Sequence, residues 1–99
     1  MSAQVITEAE VALGHLESLT DELRARGWAV EIAAFGDRWP SATVANPELT
    51  GLNETVIAVL DHTDRSWSFF YGWGERIAPC AEVHRTATAL ARVLAVRRD

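Results

Sequence analysis

The segments Glu54–Asp61 and Ser66–Trp73 predict a β-hairpin that is apolar on both faces, and this constrains the fold more than any other feature. The first reads ETVIAVLD and is rich in β-branched residues, and the second reads SWSFFYGW and is rich in aromatic ones. A two-residue turn at Thr63–Asp64 would pair them as antiparallel strands. An antiparallel sheet with one face in water alternates apolar and polar residues, so a hairpin apolar on both faces calls for two covering layers.

That pairing assigns each side chain of the hairpin to one face of the sheet. One face would hold Leu60 opposite Trp67, Ala58 opposite Phe69, Val56 opposite Tyr71, and then Trp73. The other would hold Ile57, Val59, Phe70, Ser66 and Ser68. A Trp or Tyr side chain buries about 150–250 Å². Three such rings left uncovered would form a patch large enough to mark an interaction site.

Helical periodicity predicts a helix at each end of the chain. Thr7 and Glu10 have the spacing of a capping box, and Gly27 suits the left-handed position after a helix, which predicts a helix from about Glu8 to Arg26. Its apolar stripe is Ala12, Leu16, Leu19 and Leu23. Pro79 suits the first turn of a closing helix. The apolar stripe of that helix is Val83, Ala87, Leu90 and Leu94.

Two further alternating segments, residues 28–35 and 41–46, complete a predicted set of four strands, whereas residues 47–53 are predicted as a loop. The predicted fold is a single two-layer α+β domain over residues 1–99, with the order α-β-β-β-β-α. Its sheet is a four-stranded antiparallel meander with both helices on one face. The second apolar face then predicts a homodimer through the sheet or the aromatic hairpin. Alternatively, the sheet curls and the loops at Trp39 and residues 49–52 cover the rings.

Composition narrows the class of protein. The formal net charge is −5, and this argues against a general nucleic-acid binder. No apolar run approaches the roughly 20 residues that a membrane-spanning helix needs, and the first residues lack the basic and apolar blocks of a signal peptide. A single cysteine excludes an internal disulfide. We therefore expect a cytoplasmic protein that binds neither nucleic acid nor membrane.

The sequence offers one candidate catalytic pair and no specific catalytic motif. Cys80 and His84 lie four residues apart on the predicted closing helix, where a helix N-terminus would lower the pKa of the thiol. His62 and Asp61 could add metal ligands, but structural zinc sites normally show two ligand pairs at defined spacing. A buried structural cysteine beside a surface histidine explains the same residues. We expect no enzyme activity, no metal and no cofactor.

The aromatic strand supplies the candidate binding residues. The predicted interaction surface comprises Trp67, Phe69, Tyr71, Trp73, Glu75 and Arg76. In it the rings act as anchors and the two charges lie at the rim, a combination typical of binding hot spots. The alternatives are a plain strand-to-helix connection after Trp73 and a small-ligand pocket between sheet and helices lined by Trp67, Tyr71 and Trp73.

The stretch FFYGWGERIAP, followed by a helix ending in ALARVL, resembles a loose group of short uncharacterised proteins of GC-rich bacteria. These share an aromatic strand and a W-G-[ED]-x-I-A-P-like entry into the last helix. The resemblance implies an accessory or regulatory role without established enzymatic activity. In size, acidity and helix–sheet–helix order the chain is also similar to the small dimeric chaperones of secretion systems, which implies a partner-binding function.

Overall fold

The computed structural model describes residues 7–36 and 38–95. The elements are α1 Glu8–Ala25, β1 Ala29–Ala33, β2 Ser41–Asn46, β3 Leu49–Asp61, β4 Ser66–Tyr71, β5 Arg76–Pro79 and α2 Val83–Leu94. The predicted α+β class, with two helices and an antiparallel sheet, is confirmed. The sheet has five strands instead of the predicted four. No helix within the described residues has the length and apolarity needed to cross a membrane.

The five strands form a meander in the order β1-β2-β3-β4-β5, and every neighbouring pair is antiparallel. The predicted hairpin register is confirmed, because Val56 pairs with Tyr71, and the next pairs are Ala58 with Phe69 and Leu60 with Trp67. The ladder ends at Asp61 and Ser66, so the connection is a four-residue loop, not a two-residue turn. Within it, Asp64 accepts hydrogen bonds from the backbone N–H and the hydroxyl of Ser66.

The prediction for Pro79 is wrong, because this residue ends β5 and does not begin the closing helix. Ala78 pairs with Phe69, Pro79 pairs with Ser68, and the backbone N–H of Cys80 continues the ladder to the carbonyl of Trp67. A proline is tolerated here because β5 is an edge strand. Helix α2 starts only at Val83.

The predicted loop at residues 47–53 is also wrong, because β3 already begins at Leu49. Asn46 pairs with Leu49, whereas Ala45 pairs with Asn53, so a bulge interrupts the ladder between these two pairs. Bulges of this kind carry residues that alternation cannot assign to a face. The β2–β3 connection is tight: the side-chain oxygen of Asn46 accepts the backbone N–H of Glu48 at 2.8 Å.

Both helices pack on one face of the sheet, as predicted. We call this the helix face; its strand residues in the core are Val30, Ala42, Val44, Val56, Ala58, Phe69 and Tyr71. They meet the predicted stripes of α1 (Ala12, Leu16, Leu19, Leu23) and of α2 (Ala87, Leu90, Leu94). Thr7 caps α1 by accepting the backbone N–H of Glu10, and Gly27 adopts the positive φ expected after the helix. Hydrophobic burial on this one face therefore supplies the core.

A buried asparagine joins the sheet to the end of α2. The side-chain amide of Asn46 donates to the carbonyl of Leu94 at 2.9 Å, while its oxygen holds the β2–β3 turn. The last carbonyls of a helix have no partner within the helix, so this bond satisfies a group that would otherwise be buried unpaired. Asn46 thus fixes the end of α2 against β2.

We expect Asn46→Ala to lower the free energy of unfolding by about 1–3 kcal/mol, because it leaves buried backbone groups unsatisfied. Urea denaturation of the two proteins measures the difference. The matched control is Asn53→Ala, since the Asn53 amide is exposed and bonds only to the nearby carbonyls of Thr50 and Gly51. Equal losses in the two variants would contradict the role assigned to Asn46.

A polar cluster joins the two helices at their surface. Arg26 donates from Nε to the Glu22 carboxylate at 2.7 Å and from Nη1 to the Thr88 hydroxyl at 3.2 Å. His84 Nδ1 lies 3.2 Å from the same carboxylate. The hydrogen bond from Arg26, then the charges of His84 and Arg26, hold the pKa of Glu22 below its usual 4.5.

Because folding lowers the pKa of Glu22, the stability it contributes is present above about pH 4.5 and is lost as the pH falls through the folded-state value. We expect Glu22→Gln to destabilise the protein at pH 7 and to make little difference near pH 2. Thermal melts of both proteins across this range measure the change, with the exposed Glu17→Gln on α1 as control. A constant difference at every pH would contradict the assignment.

Candidate functional site

Two of the predicted surface anchors lie in the core. Phe69 is fully buried and Tyr71 is only 5% exposed, because both point to the helix face. Trp67 is half-buried on the same face, with its ring 5.3 Å from that of His15 on α1. Burial there lowers the pKa of His15. The expectation that these three residues form an exposed aromatic patch is therefore corrected: helices of the same chain cover them.

The opposite face, which we call the open face, carries the second apolar set of the hairpin. Ile57, Val59 and Phe70 point to it and are half-buried. Both helices lie on the helix face, so neither of them covers this one. The apolar face that the helices leave uncovered is therefore this one, and its apolar residues are two aliphatic side chains and one phenyl ring.

Arg76 also belongs to the open face. Its backbone pairs with Phe70, and its Nε donates to the Ser68 hydroxyl at 3.1 Å. This contact lies over Ser68, which is 3% exposed. An arginine side chain combines an apolar stem with a charged end, so Arg76 covers part of the sheet and still presents charge at its edge.

Trp39, which the sequence offered as a ring that could close over the hairpin, has a specific partner at the sheet. Extending the β2–β3 register beyond Ala42 and Val56 places Pro40 opposite Ala58. Proline has no backbone N–H to donate. The indole N–H of Trp39 donates to the Ala58 carbonyl at 3.0 Å instead. The indole therefore satisfies a carbonyl that the ladder leaves open.

Among the aromatic residues of the predicted interaction surface, Trp73 is the most exposed, at 62%. It follows the end of β4, and its ring stacks on that of Tyr71 with centroids 4.4 Å apart and planes 8° apart. The turn is closed by two backbone bonds, from Tyr71 N–H to the Glu75 carbonyl and from Gly74 N–H to the Tyr71 carbonyl. Gly74 has φ +108°, which favours glycine.

A groove of about 410 Å³ lies beside this ring. We call it the Trp73 groove; it is lined by Asn53, Glu54, Thr55, Gly72 and Trp73. The close approach of β3 and the turn depends on Gly72, because a Cβ there would lie 3.2 Å from the Cβ of Thr55. Of the proposed pocket residues, Tyr71 and Trp73 thus meet in a stack, whereas Trp67 packs against α1.

The electrostatics of this end of the sheet are acidic. Burial, and then the negative charges of Glu54 and Glu75, raise the pKa of the Tyr71 hydroxyl. Within residues 7–36 and 38–95, neither carboxylate forms an ion pair. Arg76 is directed to the open face instead. The predicted trio therefore divides: Trp73 and Glu75 lie near Tyr71, and Arg76 lies on the other side of the sheet.

The geometry expected for a catalytic thiol is not present. Cys80 precedes α2, so it does not share a helix face with His84. It is 5% exposed, and burial raises the pKa of its thiol to about 12. His84 is exposed and lies against Glu22. Among the residues that the structure describes, no three histidine, cysteine or acidic side chains are grouped to hold a metal ion.

Comparison with known protein families, with curated proteins and with solved structures found no match to this chain. Two surfaces of the described residues could carry a function: the open face and the Trp73 groove.

We expect the Cys80 thiol to react with a disulfide reagent such as DTNB at least about tenfold more slowly than a free cysteine at pH 8, because it is buried and only its thiolate reacts. Absorbance at the thionitrobenzoate band measures the rate. In urea, where the chain is unfolded, the rate should rise to that of free cysteine. Rapid reaction of the folded protein would contradict the burial of this thiol.

Proposed function

We propose that this protein is a non-enzymatic interaction module that forms a homodimer through the open face of its sheet. The observation that carries the proposal is the apolar set Ile57, Val59 and Phe70 on a face that no helix of the described residues covers. Contiguous apolar surface of this kind is characteristic of protein–protein interfaces. An accessory or regulatory role, in the cytoplasm, agrees with a single cysteine that is a free thiol.

The open face is suited to close approach by another sheet. Ile57 pairs directly with Phe70, so the two side chains are neighbours, and Val59 lies two residues further along β3. Apart from Glu31, the residues of β1 and β2 on this face have small side chains: Ala29, Ala33, Ser41, Thr43 and Ala45. Two sheets pack face to face at about 10 Å, with side chains from both filling the space between. Phe70 could then insert over the small side chains of the partner.

Charge at the two edges favours a second copy of this chain as the partner. Glu31 lies on the open side of edge strand β1, and Arg76 lies on the open side of edge strand β5. A two-fold axis parallel to the strands, between two facing sheets, sets β1 of each copy over β5 of the other. Glu31 of each copy then lies at the same edge of the interface as the partner's Arg76, two residues apart along the strands, and this arrangement occurs twice, as self-complementary dimers require.

The area of the open face determines the affinity that we expect for the dimer. Four strand spacings of about 4.8 Å and strands of about six residues give a face of roughly 20 by 20 Å, or about 400 Å² in projection. Standard interfaces bury about 800 Å² per partner. This face is at the small end, so we expect a reversible dimer with a Kd on the order of micromolar.

We expect Phe70→Glu to abolish the dimer, because it places two charges in the apolar centre of the interface. Sedimentation velocity from about 1 to 300 μM measures the mass of wild type and variant. The matched control is Phe35→Glu, since Phe35 is an aromatic residue that is 71% exposed in the β1–β2 connection. Circular dichroism confirms that each variant is folded. A wild-type monomer throughout this range would overturn the proposal.

A charge exchange tests the orientation separately. Glu31→Arg and Arg76→Glu should each weaken the dimer, because each brings like charges together across the two-fold axis. The double variant restores opposite charges and should recover most of the affinity. If the double variant is as weak as the single ones, the proposed two-fold axis is wrong even where the dimer exists.

A further inference from the structure

We infer that the Trp73 groove binds the guanidinium group of an arginine side chain presented by a protein partner. This site lies beyond the end of β4. Asn53, Thr55 and Gly72 lie on the same side of the sheet as Ile57, so the groove adjoins the open face proposed for dimerisation. The inference depends on three features: a supported, exposed indole, two carboxylates without a described cationic partner, and a groove of suitable size beside them.

The indole is held in place for binding. One face of Trp73 stacks on Tyr71, and Tyr71 itself is anchored in the core at 5% exposure. The turn from Tyr71 to Glu75 is fixed by backbone bonds at both of its ends. Glycines flank Trp73 on each side, so no neighbouring side chain blocks the ring. A rigid aromatic ring loses little conformational entropy on binding, which favours affinity.

The charges around the ring select a cation. Glu54 lines the groove, and Glu54 and Glu75 both lie close enough to Tyr71 to raise the pKa of its hydroxyl. Arg76, the nearest arginine in sequence, bonds to Ser68 on the open face. A cation over an indole is attracted by the negative face of the ring, and adjacent carboxylates add to that attraction.

Arginine fits this site better than lysine. A guanidinium is planar, so it can stack on the remaining face of Trp73 while its edge donates to a carboxylate. Asn53 and Thr55 also line the groove and add polar groups to it. The groove volume of about 410 Å³ lies within the range of sites that bind small groups.

The test uses the peptide acetyl-Gly-Arg-Gly-amide and its citrulline analogue, which has nearly the same shape but no charge. The indole N–H signal of Trp73, assigned from Trp73→Leu, is followed by NMR during titration. We expect a saturable shift with the arginine peptide, at least about fivefold weaker binding of the citrulline peptide, and weakening when NaCl is raised. Equal binding of both peptides overturns the inference, since a neutral planar or sugar-like ligand would then fit as well.

Variants test the residues assigned to the site. Trp73→Leu should abolish binding, followed in this variant through the backbone amide signals of Thr55 and Gly72, which line the groove. Glu54→Gln and Glu75→Gln should each weaken binding about two- to fivefold. The matched controls are Phe35→Leu and Glu17→Gln, which remove an exposed ring and an exposed carboxylate elsewhere. The remaining amide signals confirm that each variant is folded. If Glu54→Gln and Glu75→Gln bind the arginine peptide as the wild type does, the inference fails.

Discussion

The pairing of β3 with β4 is the constraint on which the rest of the structure depends. Its register sets Phe69 and Tyr71 on the same side as Val56 and Ala58, and hence under both helices. A shift of one residue would exchange the two faces, because successive side chains point to opposite sides. The core, the composition of the open face and the support beneath Trp73 all follow from this one alignment.

The sequence is sufficient to predict this register but does not state which face the helices cover. Alternation alone treats both faces as apolar. The choice follows from the amount of apolar surface: the helix face gains Trp67, Phe69 and Tyr71, whereas the open face includes Ser66 and Ser68. Covering the more aromatic face buries more apolar area, which is the larger gain in free energy. The two serines are the signal in the sequence that distinguishes the faces.

The sequence does not predict the edge strand β5, because Pro79 is compatible both with the first turn of a helix and with an edge strand. Proline is favoured in the first turn of a helix and is also tolerated on an edge strand. Local propensity does not separate these, and the deciding contacts are long-range: Ala78 with Phe69, and the Cys80 N–H with the Trp67 carbonyl. The catalytic hypothesis for Cys80 depended on the same error, because it required the residue to lie at a helix N-terminus.

A single bulge decides which side chain of β5 reaches the open face. Continuing the pairing of Phe69 with Ala78 would place Ile77 opposite Phe70, on the open face. The observed pairing sets Arg76 there instead, and Ile77 packs against the core. The bulge therefore buries an aliphatic side chain that would otherwise face water, and it moves a charge to the open face. It also leaves the acidic end of the turn, Glu75 with Trp73, without the arginine that follows it in sequence. Alternation assumes an unbroken ladder, so it gives no indication of this separation.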